Sequence, residues 1–192
     1  DVYLLGATLH HILVGHPRHI GEDLKAVFDK VKHSAPFHYA ADVPDQLAQL
    51  VNESCARNPS DRPQSAAEFR ERLHQFHQHQ QAHSLTKAAR EDFEQLTTLV
   101  EQQSAERDLI HRHYNRCRFA CDQALLIFPE STESNRLRQR MIEKMAAYYL
   151  SRQQPVAAQL LLDELDVIPP NLTNLLSQQI ENQVSLEQDA EL

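Results

Sequence analysis

Glycine constrains this chain most, because there is so little of it: Gly6, Gly15 and Gly21 are the only three in 192 residues. Tight β-hairpins lean on glycine for their left-handed turn positions, so hairpin-rich β structure is not expected. Leu, Ala, Gln, Glu and Arg are plentiful instead, all good helix formers. Hydrophobic residues make up 41% of the chain, enough for a packed core and too many for global disorder. The expected class is all-α, as one ordinary domain or two small ones.

The formal charge of −8, from 27 acidic and 19 basic residues, argues against a nucleic-acid partner, which needs cations to displace counterions from phosphates. No apolar run approaches the roughly 20 residues that span a bilayer, so no membrane segment is expected. The sequence opens inside a helical pattern with no leader and no initiator methionine, which reads as a piece of a longer protein. Three cysteines without a secretory signal fit a reducing, cytoplasmic setting better than a disulfide framework.

Leu5, Leu9, Ile12 and Leu13 form one stripe of an opening helix, and Val2, Leu4 and Ala7 cover much of the rest. A helix apolar nearly all round belongs in the middle of a core. Gly6 inside it permits close backbone contact, and Gly15 followed by Pro17 is a helix stop. A second helix is expected near Glu22–Val31, with Leu24, Val27, Phe28 and Val31 on one face. A loop around Pro36 follows. Pro44 then opens a third helix that buries Leu47, Leu50, Val51 and Cys55. After Asn58-Pro59, Ser65-x-x-Glu68 is a capping box ahead of a stripe of Phe69, Leu73 and Phe76.

Two blocks in this region carry a resemblance. Asp1-Val2-Tyr3-Leu4-Leu5-Gly6 closes with Leu13-Val14-Gly15-His16-Pro17. Cys55-Ala56-Arg57-Asn58-Pro59-Ser60-Asp61-Arg62-Pro63 runs on to Ser65-Ala66-Ala67-Glu68-Phe69. In this order and separation, over about residues 1–77, the chain resembles the last large helices of the larger lobe of a bacterial-type Ser/Thr protein kinase. The alternative is an unrelated helical bundle. The resemblance implies scaffold roles. Asp1 would accept backbone amides of the catalytic loop, a charge-assisted bond. Thr8 and Ile12 would form the floor beneath the nucleotide-contacting column of side chains, although Thr8 is more polar than that floor usually is. Arg62 would pair, buried, with the glutamate of an A-P-E motif, for which its planar donors are suited.

Phosphoryl transfer needs a Gly-rich loop, a strand lysine paired with a helix glutamate, H-R-D with its downstream Asn, and D-F-G to hold magnesium. None of these motifs occurs in the sequence. The chain is therefore expected to contribute no catalytic, cofactor-binding or metal residue, ATP and Mg being cofactors of the parent. Asp1 and Arg62 lose the partners the family gives them. Arg62 is accordingly expected to turn to solvent or to pair with Asp61 or Glu22, since an unpaired buried charge is costly.

Beyond residue 78, Gln75–His83 is expected to fray as a helix end, with a linker over 79–84. Leu85, Ala88, Ala89, Phe93, Leu96, Leu99 and Val100 then mark a new helix. Others are expected over about Ala105–Phe128 (Leu109, His113, Cys117, Ala120, Ala124 and Ile127 inward) and Ser134–Leu150 (Leu137, Met141, Met145 and Tyr148). Further helices open at Pro155, with Leu161, Leu162 and Leu165, and after Pro169-Pro170, with Leu172, Leu176, Ile180 and Val184. Residues 187–192 are expected to be disordered. Ala120-x-x-x-Ala124-Leu125-x-x-x-Pro129 returns loosely as Ala158-x-x-x-Leu162 before Pro169. Both resemble the second helix of a tetratricopeptide repeat, so 85–186 is expected to be a degenerate, TPR-like helical-hairpin array. Such arrays bind peptides or proteins on a concave face; a bundle that only stabilises the kinase lobe is the alternative. Cys117–Leu125 also resembles a segment that follows the kinase domain in some large bacterial Ser/Thr kinases.

His113, Cys117 and Cys121 share a helix stripe, but the outer two lie about 12 Å apart along the axis, too far for one ion. They are expected to pack. His74, His77, His79 and His83 lack the acid of a His-Glu-x-x-His motif. The arginines at 107–118 and 136–140 interleave with acids and read as a salt-bridged, solvated face. Two functions follow: a piece of a Ser/Thr kinase, inactive alone and completed by the N-terminal kinase portion, or a non-catalytic helical adaptor built on a relic kinase lobe.

Overall fold

The computed structural model describes residues 1–102 and 106–190, with side chains described as far as residue 182. Among these residues there are eight α-helices, one short 3-10 turn and no strand, as expected of an all-α chain. No described helix is long and apolar enough to cross a membrane. The chain divides into two compact units, Asp1–His79 and Gln80–Leu192.

The first unit contains α1 (Val2–Val14), α2 (Leu24–His33), α3 (Asp45–Ser54), a 3-10 turn (Pro59–Asp61) and the start of α4 (Ala66–Glu101). Its helix ends follow local chemistry. Gly15 takes a left-handed φ of 78°, and its N–H donates to the His11 carbonyl. The Asp23 carboxylate accepts the Ala26 N–H at 2.7 Å and starts α2. Ser65 Oγ accepts the Glu68 N–H at 3.1 Å, and the Glu68 carboxylate reaches back to the Gln64 N–H at 2.7 Å, one residue earlier than in a standard capping box.

The third helix buries Leu47, Leu50 and Val51, with Cys55 just beyond it, as its spacing requires. Against it lies α1, brought close by Gly6: a Cβ there would meet Ser54 Cβ at 2.6 Å and Cys55 Sγ at 2.9 Å. The expected stripe of α1 needs correction. Gly6 and His10 are its buried residues, whereas Ile12 is 74% exposed and Leu4 67%. Among the described residues α3 covers one side of this helix and the other stays open, so α1 is not the core helix its composition implies.

The second unit has two adjoining cores. In the first, Ala89, Phe93 and Leu96 of α4 meet α5 (Arg107–Ile127) and α6 (Thr132–Ser151), with Leu137, Met141, Met145 and Tyr148 inward as expected. In the second, Ala146 and Leu150 of α6 meet Ala158 and Leu162 of α7 (Pro155–Leu162) and Leu172 and Leu176 of α8 (Pro170–Ala190). The central element is therefore α6, apolar on two sides. At its entry Ser134, fully buried, shares its hydroxyl with Thr86 at 2.6 Å and with Ser131 at 2.7 Å, so no buried hydroxyl in this group is orphaned.

Three further expectations differ. Residues 75–83 do not fray; with 84 they are helical inside α4, and the division between the two units, at His79/Gln80, falls within the expected linker. On α5 Cys117, Ala120 and Ala124 are buried as expected, but Ile110 and Tyr114 take the inward positions in its first half, where Leu109 and His113 are only half-buried. The helix α8 continues through 187–190, where disorder was expected; residues 191–192 lie outside the described residues, as does the Val184 side chain.

Candidate functional site

The scaffold residues named from the sequence sort onto α1 by helical geometry. At 3.6 residues per turn, Asp1, Leu5, Thr8 and Ile12 fall within roughly 60° of one another, and Gly6 and His10 fall on the opposite side. The structure divides the helix the same way. Asp1 is an exposed N-cap whose side chain makes no capping bond, and Thr8 Oγ1 donates to the Leu4 carbonyl at 2.8 Å. Leu5 is 38% exposed, and with Leu4 and Ile12 it leaves an uncovered apolar face carrying one carboxylate at its end.

Arg62 lies apart from that face, on the packed side, and its partners correct the expectation. It neither turns to solvent nor finds an acid. Nε donates to the Ala56 carbonyl at 2.8 Å and Nη2 to the Arg57 carbonyl at 3.2 Å, while the guanidinium sits 5.0 Å above the centre of the Tyr3 ring. Two main-chain acceptors and an aromatic face satisfy it without a counter-charge. Asp61 is engaged by Asn58 and Ser60 instead.

The packed side of α1 also holds a polar network that helical periodicity alone does not disclose. His10 is fully buried, and its Nδ1 lies 2.7 Å from the Tyr39 hydroxyl. Phe37 and Tyr39, from the segment read as a loop, pack edge-on to its ring at 4.7 and 5.6 Å. Arg18 donates to the Tyr39 hydroxyl at 3.4 Å and, through Nη2, to the Ala35 carbonyl and Asn52 Oδ1 at 3.1 Å each. Asn52 pins both the N–H and the C=O of Phe37. With Arg18 donating to it, the Tyr39 hydroxyl is placed to donate to Nδ1, leaving the proton on Nε2, which has no partner. Burial, then the charges of Arg18 and nearby histidines, lower the His10 pKa to about 4. The sequence signal was its i, i+4 spacing from Gly6, the residue of closest helix approach.

In the second unit His113 does not face the thiols. Its Nδ1 lies 2.8 Å from Asp92 Oδ1, and Arg116 holds the other Asp92 oxygen at 3.2 Å. The hydrogen bond to Cys121 and burial push the Cys117 thiol well above its ordinary range. Among the described residues no group of three or more His, Cys, Asp and Glu side chains is arranged to hold a metal. The arginine-rich face is salt-bridged at its centre: Arg118 and Arg138 both reach Glu164, at 3.0 and 2.8 Å, and Arg138 also meets Asp122 at 3.1 Å.

No family model and no solved structure matches this chain. The serine/threonine-protein kinase PknB of Mycolicibacterium smegmatis is 40% identical over 83 residues, 42% of this chain and 13% of that protein's length. The serine/threonine-protein kinase PknK of Mycobacterium bovis is 38% identical over 77 residues, 38% of this chain and 7% of that protein's length. The chain thus spans a small part of these relatives, and over about two-fifths of its own length it is similar to bacterial serine/threonine-protein kinases.

Proposed function

We propose that residues 1–77 are the supporting base of a bacterial-type Ser/Thr protein kinase lobe. The whole protein would transfer the ATP γ-phosphate, with magnesium, to Ser and Thr hydroxyls. These 192 residues would carry none of the reacting groups. The observation behind this reading is the two-sidedness of α1: one side is packed on α3, and the other leaves Asp1, Leu5, Thr8 and Ile12 exposed among the described residues. Asp1, Thr8 and Ile12 are the α1 positions to which the kinase resemblance gives the support of the catalytic machinery. The residues present do not fit a magnesium nucleotide. Gly6 is used in packing against α3, Gly15 in ending α1 and Gly21 in close contact with Val27, which leaves no glycine loop to cradle phosphates. No step of phosphoryl transfer is routed through this chain.

The second unit is read as a degenerate, TPR-like array with a face for a protein or peptide. The shared use of α6 by two adjoining cores supports it, since stacked hairpins share a helix layer in this way. Calorimetric titration with ATP and magnesium tests the first reading. No magnesium-dependent binding is expected, and a micromolar, magnesium-dependent dissociation constant would contradict it.

A further inference from the structure

We propose that the cleft between the loop after α1 and the end of α2, bounded by Arg18, His19, Lys30 and His33, is an oxyanion site for a phosphoryl group. The chain carries a net charge of −8, yet no carboxylate lines this cleft of about 240 Å³. Ser34 and Phe37 help close it. The space is below the roughly 300–1,000 Å³ of pockets that take drug-sized molecules, and suits a phosphoryl group with a few waters.

Each of the four groups is held by a neutral partner; Lys30 and Arg18 keep N–H groups in reserve, and each imidazole keeps one ring nitrogen unbound, which on His33 donates only in the protonated ring. Lys30 Nζ donates to the Ile20 carbonyl at 2.6 Å, which leaves two of its three N–H groups. His33 uses only Nδ1, on the Asp29 carbonyl at 2.7 Å. His19 uses only Nε2, on the Tyr3 hydroxyl at 2.6 Å. Arg18 is fixed by Ala35, Asn52 and Tyr39, yet its Nε is buried and without a hydrogen bond. No carboxylate pairs with any of the four among the described residues.

Acids stand near in sequence without neutralising the cleft. Asp23 is turned into the N-cap of α2, Asp29 contributes its main-chain carbonyl, and Glu22 is exposed. Burial, and then the charges of Arg18 and Lys30, hold the His19 pKa below the ordinary imidazole value. Arg18 and the spare N–H groups of Lys30, in a cleft with no acid among its lining residues, are the complement of a phosphate oxyanion. Either free phosphate or a phosphorylated side chain supplies that chemistry.

The test follows the imidazole resonances of His19 and His33 in the full chain at constant ionic strength. One arm adds inorganic phosphate, a second a short phosphoserine peptide, and a third the same peptide without phosphate. Saturable shifts with at least one phosphate and none with the unmodified peptide are expected. Tighter binding of the phosphopeptide identifies a modified protein as the source, and equal or weaker binding identifies free phosphate. Lys30→Gln, at an exposed position, is expected to weaken binding roughly tenfold without changing the thermal midpoint. The proposal is overturned if neither phosphate gives a saturable shift by tens of millimolar, or if the shifts are unaltered by both Lys30→Gln and His33→Gln. Such binding needs no magnesium, so its failure leaves the kinase-lobe reading untouched.

Discussion

At the scale of single residues, three positions on the packed side of α1 set the behaviour of the first unit. Gly6 admits α3 so closely that Gly6→Ala is expected to destabilise the fold by about 1–3 kcal/mol, overriding the roughly 1 kcal/mol by which Ala favours a helix. Urea unfolding measures this; an unchanged or raised midpoint would show that the helices can separate without loss. Arg62→Ala removes two hydrogen bonds and a ring contact and is expected to cost about 1–3 kcal/mol, with Arg62→Lys rescuing little because an ammonium cannot span both carbonyls. His10 makes stability depend on pH. Its folded pKa of about 4 lies below the ordinary 6.5, so between these values the unfolded chain binds the extra proton. Stability is therefore full above about pH 6.5 and falls as pH drops towards 4, by at most about 1.4 kcal/mol per unit, with His19 acting in the same direction. His10→Phe should flatten that slope, as read from urea midpoints across the range; an equal slope in the variant would remove His10 as its cause. Gly6 and Gly15 were legible because glycine in or after a helix has few uses. The partners of Arg62 were not, since main-chain carbonyls and a ring face leave no mark in a search for acids. Nor was His10: an imidazole counts as polar in a hydropathy pattern, and its buried site is made by Phe37 and Tyr39 from a loop.

At the scale of elements, capping chemistry and proline were more reliable guides than hydrophobic stripes. Pro44, Ser65, Pro155 and Pro170 stand at or near the starts of the helices they imply, and α3 and α6 bury the faces their spacing names. The error at 75–83 has a physical cause. This run is rich in Gln and His and poor in large apolar groups, so amphipathic periodicity fades there, although nothing in it breaks a helix. The sequence contains no glycine or proline from Gln64 to Phe128, and that was the available signal. In the first half of α5 the residues missed were Ile110 and Tyr114, the latter a buried phenol that a hydropathy pattern weighs lightly. Continuous helix over 79–84 predicts that these amides are protected from hydrogen exchange comparably to residues 70–75. Random-coil exchange confined to 79–84 would contradict a helical connection between the two units. Proline at Ser84 should cost about 3 kcal/mol, the penalty of an interior helix position.

At the scale of the whole molecule, the features that matter are the uncovered face of α1 and the small share of its relatives that the chain represents. Exposed leucine and isoleucine beside Asp1 favour self-association at high concentration. Ile12→Glu, at a side chain 74% exposed, is expected to shift the chain towards monomer in sedimentation experiments while leaving its unfolding midpoint within about 0.5 kcal/mol. A large loss of stability would instead mean that this face is packed in solution. The all-α class and the resemblance over residues 1–77 were both legible from motif order and capping. The function of the second unit was not, because its sequence pattern specifies helices and names no reacting group. The central claim is that α1 was shaped to lie beneath phosphotransfer machinery. Its most direct measurement is the coding sequence immediately upstream of Asp1. The account predicts an in-frame H-R-D with its downstream Asn, then D-F-G, then A-P-E; an upstream frame without these motifs, or with a different fold in their place, would contradict it.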